Sequence, residues 1–381
     1  MTTTTLAAGR PRPKGLRAAV AMAVSPRTVT IGALLLGLAI PFLGLGAFWL
    51  STLVFILIGA IGGLGLNVLT GYTGQVSLGH AFFLGVGAYT GAVLGRDHGV
   101  NALLWIPAAG VVAALAGAIV GPTALRLRGL YLAIVTIGVV FVGGHIFTTA
   151  TSATGGSQGR SIPQPQFLGL DFATDDTSVA GVGFDRNSLY YYLALLILAV
   201  SMVFVRNLTR TRTGCALQAV RDRESAAAMM GIDLARAKVS AFIISSFLAG
   251  ICGALYGAYL SHVDPDQWGL LLSIQFVAMI IVGGIGTVWG GLLGAVFVEG
   301  INPVLTNYSD RIPFLQSTAG GTGRISVGDA SNIAYGVLII VFLVVAPRGI
   351  AGLLTRLRTR ILRWCVPGFP ATTTTPLEET A

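Results

Sequence analysis

Charged residues are scarce in this 381-residue chain: Asp, Glu, Lys and Arg together make up 10%, against about 25% in ordinary soluble domains. Hydrophobic residues make up 54%. Uncharged apolar runs of about 20 residues, long enough to cross a bilayer as helices, recur along nearly the whole length. This composition excludes a soluble globular protein and predicts an all-α polytopic membrane protein.

Lysine is also nearly absent. The chain has only Lys14 and Lys238, and neither follows a glycine. A phosphate-binding loop of the Gly-Lys-Ser/Thr type is therefore excluded, and the chain supplies no ATP site of its own. The four histidines are scattered, and the three cysteines lie far apart without metal-ligand spacing. We expect no catalytic site, no metal site and no disulfide.

The apolar runs and the basic residues together predict the number of membrane crossings. Residues 270–305 are ambiguous, because they form either one overlong helix or two short ones broken at GGIGTVWGG, residues 283–291. Both chain ends are basic, so the positive-inside rule places both in the cytoplasm and requires an even number of crossings. Two short helices give ten. The other eight predicted spans are residues 28–46, 48–69, 80–95, 102–122, 130–150, 188–205, 239–261 and 333–346.

The ten-span arrangement divides the chain into a cytoplasmic tail (1–28), a transmembrane domain (29–347) and a second cytoplasmic tail (348–381). Residues 151–187 form its long outer loop and residues 206–238 its long cytoplasmic loop. The inner segments hold 19 of the 24 Lys and Arg residues, which supports this orientation. The net charge of +9 suits an anionic inner leaflet and gives no reason to invoke nucleic acid.

The cytoplasmic loop, RNLTRTRTGCALQAVRDRESAAAMMGIDLARAK, contains a predicted surface helix. Asp222 is a candidate N-cap, residues 223–230 are helix formers, and Gly231 is placed to end the helix in a left-handed conformation. Two interpretations stay open for this segment, either a helix laid in a partner's groove or one resting on lipid headgroups. Its predicted apolar spots are Leu217, Val220, Ala227 and Met230.

Several segments resemble LivM-type permeases of branched-chain amino acid ABC importers, in the order found in that family. They are LNVLTGYTGQVSLGH (66–80), LRGLYLAIVT (127–136), TGGSQG (154–159), RTGCALQAVRD (212–222) and GGIGT (283–287). The resemblance covers residues 47–352 and extends to urea and short-chain amide permeases, so it is more specific for the family than for the substrate.

The resemblance implies the partners. A second, LivH-type permease, two cytoplasmic ABC ATPases that bind ATP and Mg²⁺, and an extracytoplasmic binding protein would work with this chain in a bacterial cytoplasmic membrane. In such importers a Glu-Ala-Ala and downstream Gly pattern docks on the ATPase; Glu224 and Gly231 match it, with Ser225 in place of the first Ala and one extra residue of spacing. The ATPase-coupling candidates are Arg221, Asp222, Glu224, Ala227, Met230 and Gly231.

The glycine-rich stretch of residues 71–89 raises a separate question. Gly87, Gly91 and Gly95 follow small-xxx-small spacing, which either packs helices tightly or serves the path. GYTGQVSLGH (71–80) is more polar, and irregular backbone at membrane depth is tolerated only inside protein or beside a water-filled path. We expect it to approach residues 283–291 and to border the translocation path. The candidate path residues are Gly71, Tyr72, Gly74, Gln75, Ser77, His80, Tyr131, Thr136, Gln275, Gly283, Gly284, Gly286 and Glu299.

Some of these candidates carry an alternative interpretation. Tyr72, Gln75, Tyr131, Thr136 and Gln275 are secondary choices that also fit packing residues with a satisfied hydrogen bond. Glu299 is the only acid placed within a predicted span, and it is either a path residue or a structural partner, for example of Asn302. An ion-coupled secondary transporter is the competing functional class, but such carriers are expected to hold more intramembrane ionisable groups.

Overall fold

The computed structural model describes residues 32, 35–44, 46–127, 129–167, 170–172, 177–179, 182–307, 315–316, 325–345 and 349–365. The predicted tail 1–28 and residues 29–31, 33–34 and 45 of the predicted span 28–46 lie outside these residues. Residues 41–351 form one compact unit, which contains every site discussed below. A second unit takes in the described residues up to Ile40 and those from Gly352 onward, which include most of the helix Gly349–Cys365.

Helices dominate the described residues. The main helices are α1 (Ala47–Leu66), α2 (His80–Ala92), α3 (Ala102–Val120), α4 (Leu130–Thr149), α5 (Arg186–Leu208), α6 (Arg212–Asp222), α7 (Glu224–Met229), α8 (Leu234–Leu260), α9 (Leu270–Gly283), α10 (Gly290–Asn307), α11 (Val327–Val345) and α12 (Gly349–Cys365). One wider π turn extends α1 through Asn67–Gly71, and another extends α2 through Val93–Asp97. Residues 270–305 form two helices with a break between them, as the sequence predicts.

Five helices among the described residues are long and apolar enough to cross a membrane: Ala47–Gly71, Ala102–Val120, Leu130–Thr149, Arg186–Leu208 and Leu234–Leu260. Shorter apolar helices include Leu270–Gly283. An all-α multi-pass membrane protein fits this architecture. The count of ten crossings and the location of the chain ends stay predictions.

Helix α8 lies at the centre of the unit and packs against α1, α2 and α3. Its contacts are close because small residues meet where the helices cross. A Cβ atom at Gly87 of α2 would overlap the backbone of Gly250 in α8, and one at Gly250 would lie 2.6 Å from the carbonyl oxygen of Ala109 in α3. Gly91 lies against Trp105, and Gly95 against Pro163. The structure thus favours the packing interpretation for Gly87, Gly91 and Gly95.

Short strands lie in the connections rather than in a central sheet. They are β1 (Arg160–Ser161), β2 (Gln166–Phe167), β3 (Leu170–Asp171), β4 (Thr177–Val179), β5 (Val182–Phe184), β6 (His262–Val263), β7 (Leu315–Gln316) and β8 (Ile325–Ser326). β1 pairs antiparallel with β6, and Arg160 forms an ion pair with Asp97. These contacts join the end of α2, the segment after α4 and the end of α8 at one end of the bundle.

Candidate functional site

The helix α1 loses its regular geometry at an asparagine. Its α-helical turns end at Leu66, a π turn covers Asn67–Gly71, and residues 74–79 are not helical before α2 begins at His80. Local hydroxyl groups stabilise this break. Thr70 donates from Oγ1 to the carbonyl oxygen of Gln75 at 3.0 Å, and Thr73 donates to the carbonyl of Leu69.

The second break, between α9 and α10, lies directly against the first. The side chain of Asn67 accepts a hydrogen bond from the backbone N–H of Gly286 at 2.8 Å. It also donates from Nδ2 to the carbonyl oxygen of Thr287 at 2.6 Å. A Cβ atom at Gly71 would lie 2.6 Å from the backbone nitrogen of Gly286, so only a residue without a side chain fits there. The predicted approach of the two glycine-rich segments is confirmed.

Arg221, at the end of α6, joins both breaks to the long loop. Its guanidinium donates from Nη1 to the carbonyl oxygen of Gly71 and touches the position that a Cβ atom would occupy at Gly286. We call Asn67, Gly71, Arg221, Gly286 and Thr287 the break cluster. The break cluster lies on the side of the bundle where α2 and α8 begin. The Arg160–Asp97 ion pair lies on the side where these two helices end.

Three of the predicted path residues are buried and hydrogen-bonded within the chain. His80 contacts the carbonyl oxygen of Gly62 through Nε2 at 2.9 Å. Thr136 accepts from the backbone N–H of Leu78 at 2.9 Å, and Ser77 accepts from that of Gly79 at 3.3 Å. Their polar atoms stabilise the irregular backbone between α1 and α2, which is the packing role that the sequence left open for Thr136.

Gln75 differs from these three. Its side chain is 6% exposed, yet neither Nε2 nor Oε1 has a hydrogen-bond partner in the part of the chain that the structure describes. Gln75 therefore lacks, among the described residues, the hydrogen bond that the packing alternative requires. Its neighbour Gly74 adopts a left-handed φ of 70°, and a Cβ atom there would lie 3.4 Å from Cγ of Arg221.

The remaining secondary candidates have different surroundings. Tyr72 is buried, and burial raises the pKa of its phenol to about 12, against the opposing attraction of Arg221. Tyr131 is 71% exposed, and Gln275 is partly exposed. Gly283 and Gly284 lie where the backbones of α9 and α10 approach each other closely. A Cβ atom at Gly283 would lie 2.7 Å from the backbone nitrogen of Gly294.

Glu299 lies on α10 and packs against α1. A Cβ atom at Gly59 would be 2.9 Å from both Cγ and Oε1 of Glu299. The side chain of Asn302, its suggested partner, lies outside the described part of the structure. None of the contacts of the break cluster involves Glu299. This position favours the structural interpretation of the carboxyl group over a place beside the two breaks.

The coupling segment forms two helices rather than one. Asp222 ends α6 and is not an N-cap; the prediction is wrong because Arg223, with φ −158° and ψ 108°, is the extended residue that separates α6 from α7. Thr211 caps α6 by accepting from the backbone N–H of Gly214. Gly231 has φ 80° and ends the segment in the left-handed conformation, as predicted.

The apolar residues of this segment face inward. Leu217, Val220 and Ala227 are each 3% exposed or less and belong to a cluster with Leu64 and Tyr72. Neither of the two interpretations, a partner's groove or lipid headgroups, holds for these three side chains, because the chain's own bundle covers them. Met230 is 85% exposed, and Met229, which the sequence pattern did not indicate, is 82% exposed.

An ion pair anchors α7 to the beginning of α8. Nζ of Lys238 lies 2.8 Å from Oε1 of Glu224, and the Lys238 side chain is 4% exposed. The structure thus places the predicted coupling residue Glu224 in contact with the bundle. The sequence did not identify Asn67 or Lys238 as functional residues, although a polar or charged residue beside an apolar run is the signal that points to each of them.

Comparisons with known proteins agree on one family. Residues 48–346 match the family model described as the branched-chain amino acid transport system / permease component. The chain is 34% identical over 300 residues to the high-affinity branched-chain amino acid transport system permease protein LivM of Escherichia coli, covering 75% of this chain and 70% of that protein. It is 26% identical to the permease protein BraD of Pseudomonas aeruginosa, covering 76% and 90%. A probable LivH of Methanocaldococcus jannaschii is 28% identical, covering 70% and 80%. No solved structure matches.

Proposed function

Because the chain belongs to the family of branched-chain amino acid transport permease components, we propose that it is one membrane subunit of an ATP-driven importer of leucine, isoleucine and valine. An extracytoplasmic binding protein delivers the amino acid, and a second, LivH-type permease completes the path. Two cytoplasmic ATPase subunits bind ATP and Mg²⁺. The protein lies in a bacterial cytoplasmic membrane and crosses it ten times.

The observation that carries this proposal is the break cluster. Arg221 of the coupling segment bonds to the carbonyl of Gly71, and Asn67 joins the same break to the α9–α10 turn. Movement of the coupling segment would therefore act on both breaks at once. Transporters use broken helices because exposed backbone groups and helix ends hold charged substrate groups weakly. A zwitterionic amino acid suits such a path.

The distribution of contacts supports the proposed orientation. One end of the bundle holds the break cluster, α6 and α7, whose connecting loop carries seven basic residues between 206 and 238. The other end holds Asp97, Arg160 and the β1–β6 pair. The positive-inside rule assigns the first end to the cytoplasm, where the separate ATPases would reach Met229 and Met230.

The proposal has two rivals that one assay distinguishes. Transport of urea or short-chain amides is the alternative within the family, and an ion-coupled carrier is the alternative outside it. The chain is purified with its partner permease and ATPases, reconstituted in proteoliposomes, and supplied with the binding protein. We expect labelled leucine to accumulate only when ATP and the binding protein are present.

Two results of this assay would overturn the proposal. Accumulation of leucine by the chain alone, driven by a proton or sodium gradient, would assign it to secondary transporters. ATP-dependent accumulation of urea or acetamide without leucine would keep the importer but replace the substrate. A binding protein that binds none of the three amino acids would point the same way.

A further inference from the structure

Gln75 buries an amide group that has no hydrogen-bond partner among the residues that the structure describes. Among the described residues it is the one side chain with two separate polar atoms that are both buried and unpaired. Buried polar groups in folded proteins are almost always hydrogen-bonded, because losing water without gaining a partner costs free energy. An orphaned amide therefore points to a partner that is not part of the chain.

The surroundings of Gln75 are not generally short of hydrogen bonds. Its own backbone carbonyl accepts from Thr70, the nearby Thr73 hydroxyl donates to Leu69, and the Ser77 hydroxyl accepts from Gly79. The local fold thus pairs the hydroxyl groups of Thr70, Thr73 and Ser77, while the amide has no partner among the described residues. This contrast indicates that the whole segment is not poorly packed. The unpaired amide of Gln75 lowers the stability of the fold, and we infer that it does so for a functional reason.

Resting on the proposed function, we propose that the Gln75 amide is a polar contact for the α-carboxylate and α-ammonium groups of the transported amino acid. An amide suits both groups, since Oε1 accepts from an ammonium and Nε2 donates to a carboxylate. Because the amide is neutral, it holds the zwitterion without a fixed charge that would retain it. The aliphatic part of Arg221 lies against the adjacent Gly74, while its guanidinium donates to the carbonyl of Gly71.

The test uses the complete transporter and the variant Gln75→Met, which keeps the length of the side chain and removes its polar atoms. The expected result has two opposite parts. The apparent melting temperature rises, because an unpaired amide is replaced by an apolar group. ATP-driven uptake of leucine and of valine falls by about tenfold or more, equally for both, because the lost contact is with the shared main-chain groups.

Thr73→Val is the matched control, since it removes a buried but paired hydroxyl group. Its melting temperature should stay the same or fall. A fall or no change in the melting temperature of Gln75→Met would show that the amide is already satisfied, for example by a bound water, and would overturn the proposal. Normal uptake by that variant would also overturn it. If the unaltered complex itself takes up no leucine, the proposed function has failed instead.

A second variant tests the donor side of the amide. In Gln75→Glu the side chain is nearly unchanged in shape, but an ionised carboxylate accepts and does not donate to the substrate carboxylate. We expect uptake to be lost while the variant still co-purifies with its partner permease and ATPases. Uptake equal to that of the unaltered complex would contradict the proposed contact.

Discussion

Asn67 accepts a hydrogen bond from the backbone N–H of Gly286 at 2.8 Å, although the two residues are 219 positions apart in the chain. The same side chain donates to the carbonyl of Thr287, and it is fully buried. One asparagine therefore binds the Gly286 N–H and adds a second donor to the Thr287 carbonyl, which also accepts from the backbone N–H of Gly290 at 3.1 Å. This pairing explains how two irregular segments remain stable beside apolar helices.

The first prediction concerns this asparagine. Asn67→Leu should destabilise the protein by about 1–3 kcal/mol, because it removes the partner of the part-buried Gly286 N–H. The Thr287 carbonyl keeps its hydrogen bond from the backbone N–H of Gly290. Thermal unfolding in detergent measures the effect. Asn101→Leu is the matched control: Asn101 is an exposed N-cap that accepts from Leu103, and its loss should cost about 1 kcal/mol. An equal fall for both variants would mean that water replaces the Asn67 side chain.

The sequence predicted the two breaks because glycine and polar residues are dense there, and irregular backbone must be buried in protein or beside water. It did not predict Asn67, because its partners lie on a segment more than 200 residues away and a single polar residue in a span does not reveal its contact. The sequence left the apolar residues of α6 open between a partner's groove and lipid headgroups for a similar reason. Leu217 and Val220 are equally apolar whether they face the chain's own bundle or another protein.

The second prediction concerns the exposed end of α7. Met230→Glu places a charge on an 85% exposed side chain, so the fold should be unaffected. If the ATPase docks on Met229 and Met230, the charge should weaken its binding and reduce ATP-driven uptake by about tenfold. Gln218→Glu, an exposed change on α6, is the control. Equal uptake by the two variants would leave α7 with no role in docking.

The third prediction concerns topology. Cys215 is exposed on α6 and Cys252 is buried in α8, and the predicted orientation puts Cys215 and Cys365 inside. A membrane-impermeant maleimide added to intact cells should therefore leave the unaltered protein unlabelled and should label Gln166→Cys, which is exposed in the outer loop. Permeabilised cells should show labelling of Cys215. Labelling of Cys215 from outside would reverse the orientation.

The last prediction concerns the contact between Gly59 and Glu299. Gly59→Ala places a methyl group 2.9 Å from Cγ of Glu299, so the pair must shift apart at a cost of about 1–3 kcal/mol. Glu299→Gln, which preserves the shape of the side chain, should retain uptake within about twofold if the carboxyl group only packs against α1. Stability is measured by thermal unfolding and transport by leucine uptake in proteoliposomes.

A double-mutant cycle isolates this contact. Adding Glu299→Ala to Gly59→Ala should recover part of the lost stability, because the shortened side chain leaves room for the new methyl group. Strict additivity of the two changes would show that the side chains do not press on each other. If Glu299→Gln lost uptake while its stability stayed unchanged, transport would require the charge or the proton of Glu299. The amide has nearly the same shape as the carboxyl group, so these are the properties that the substitution removes.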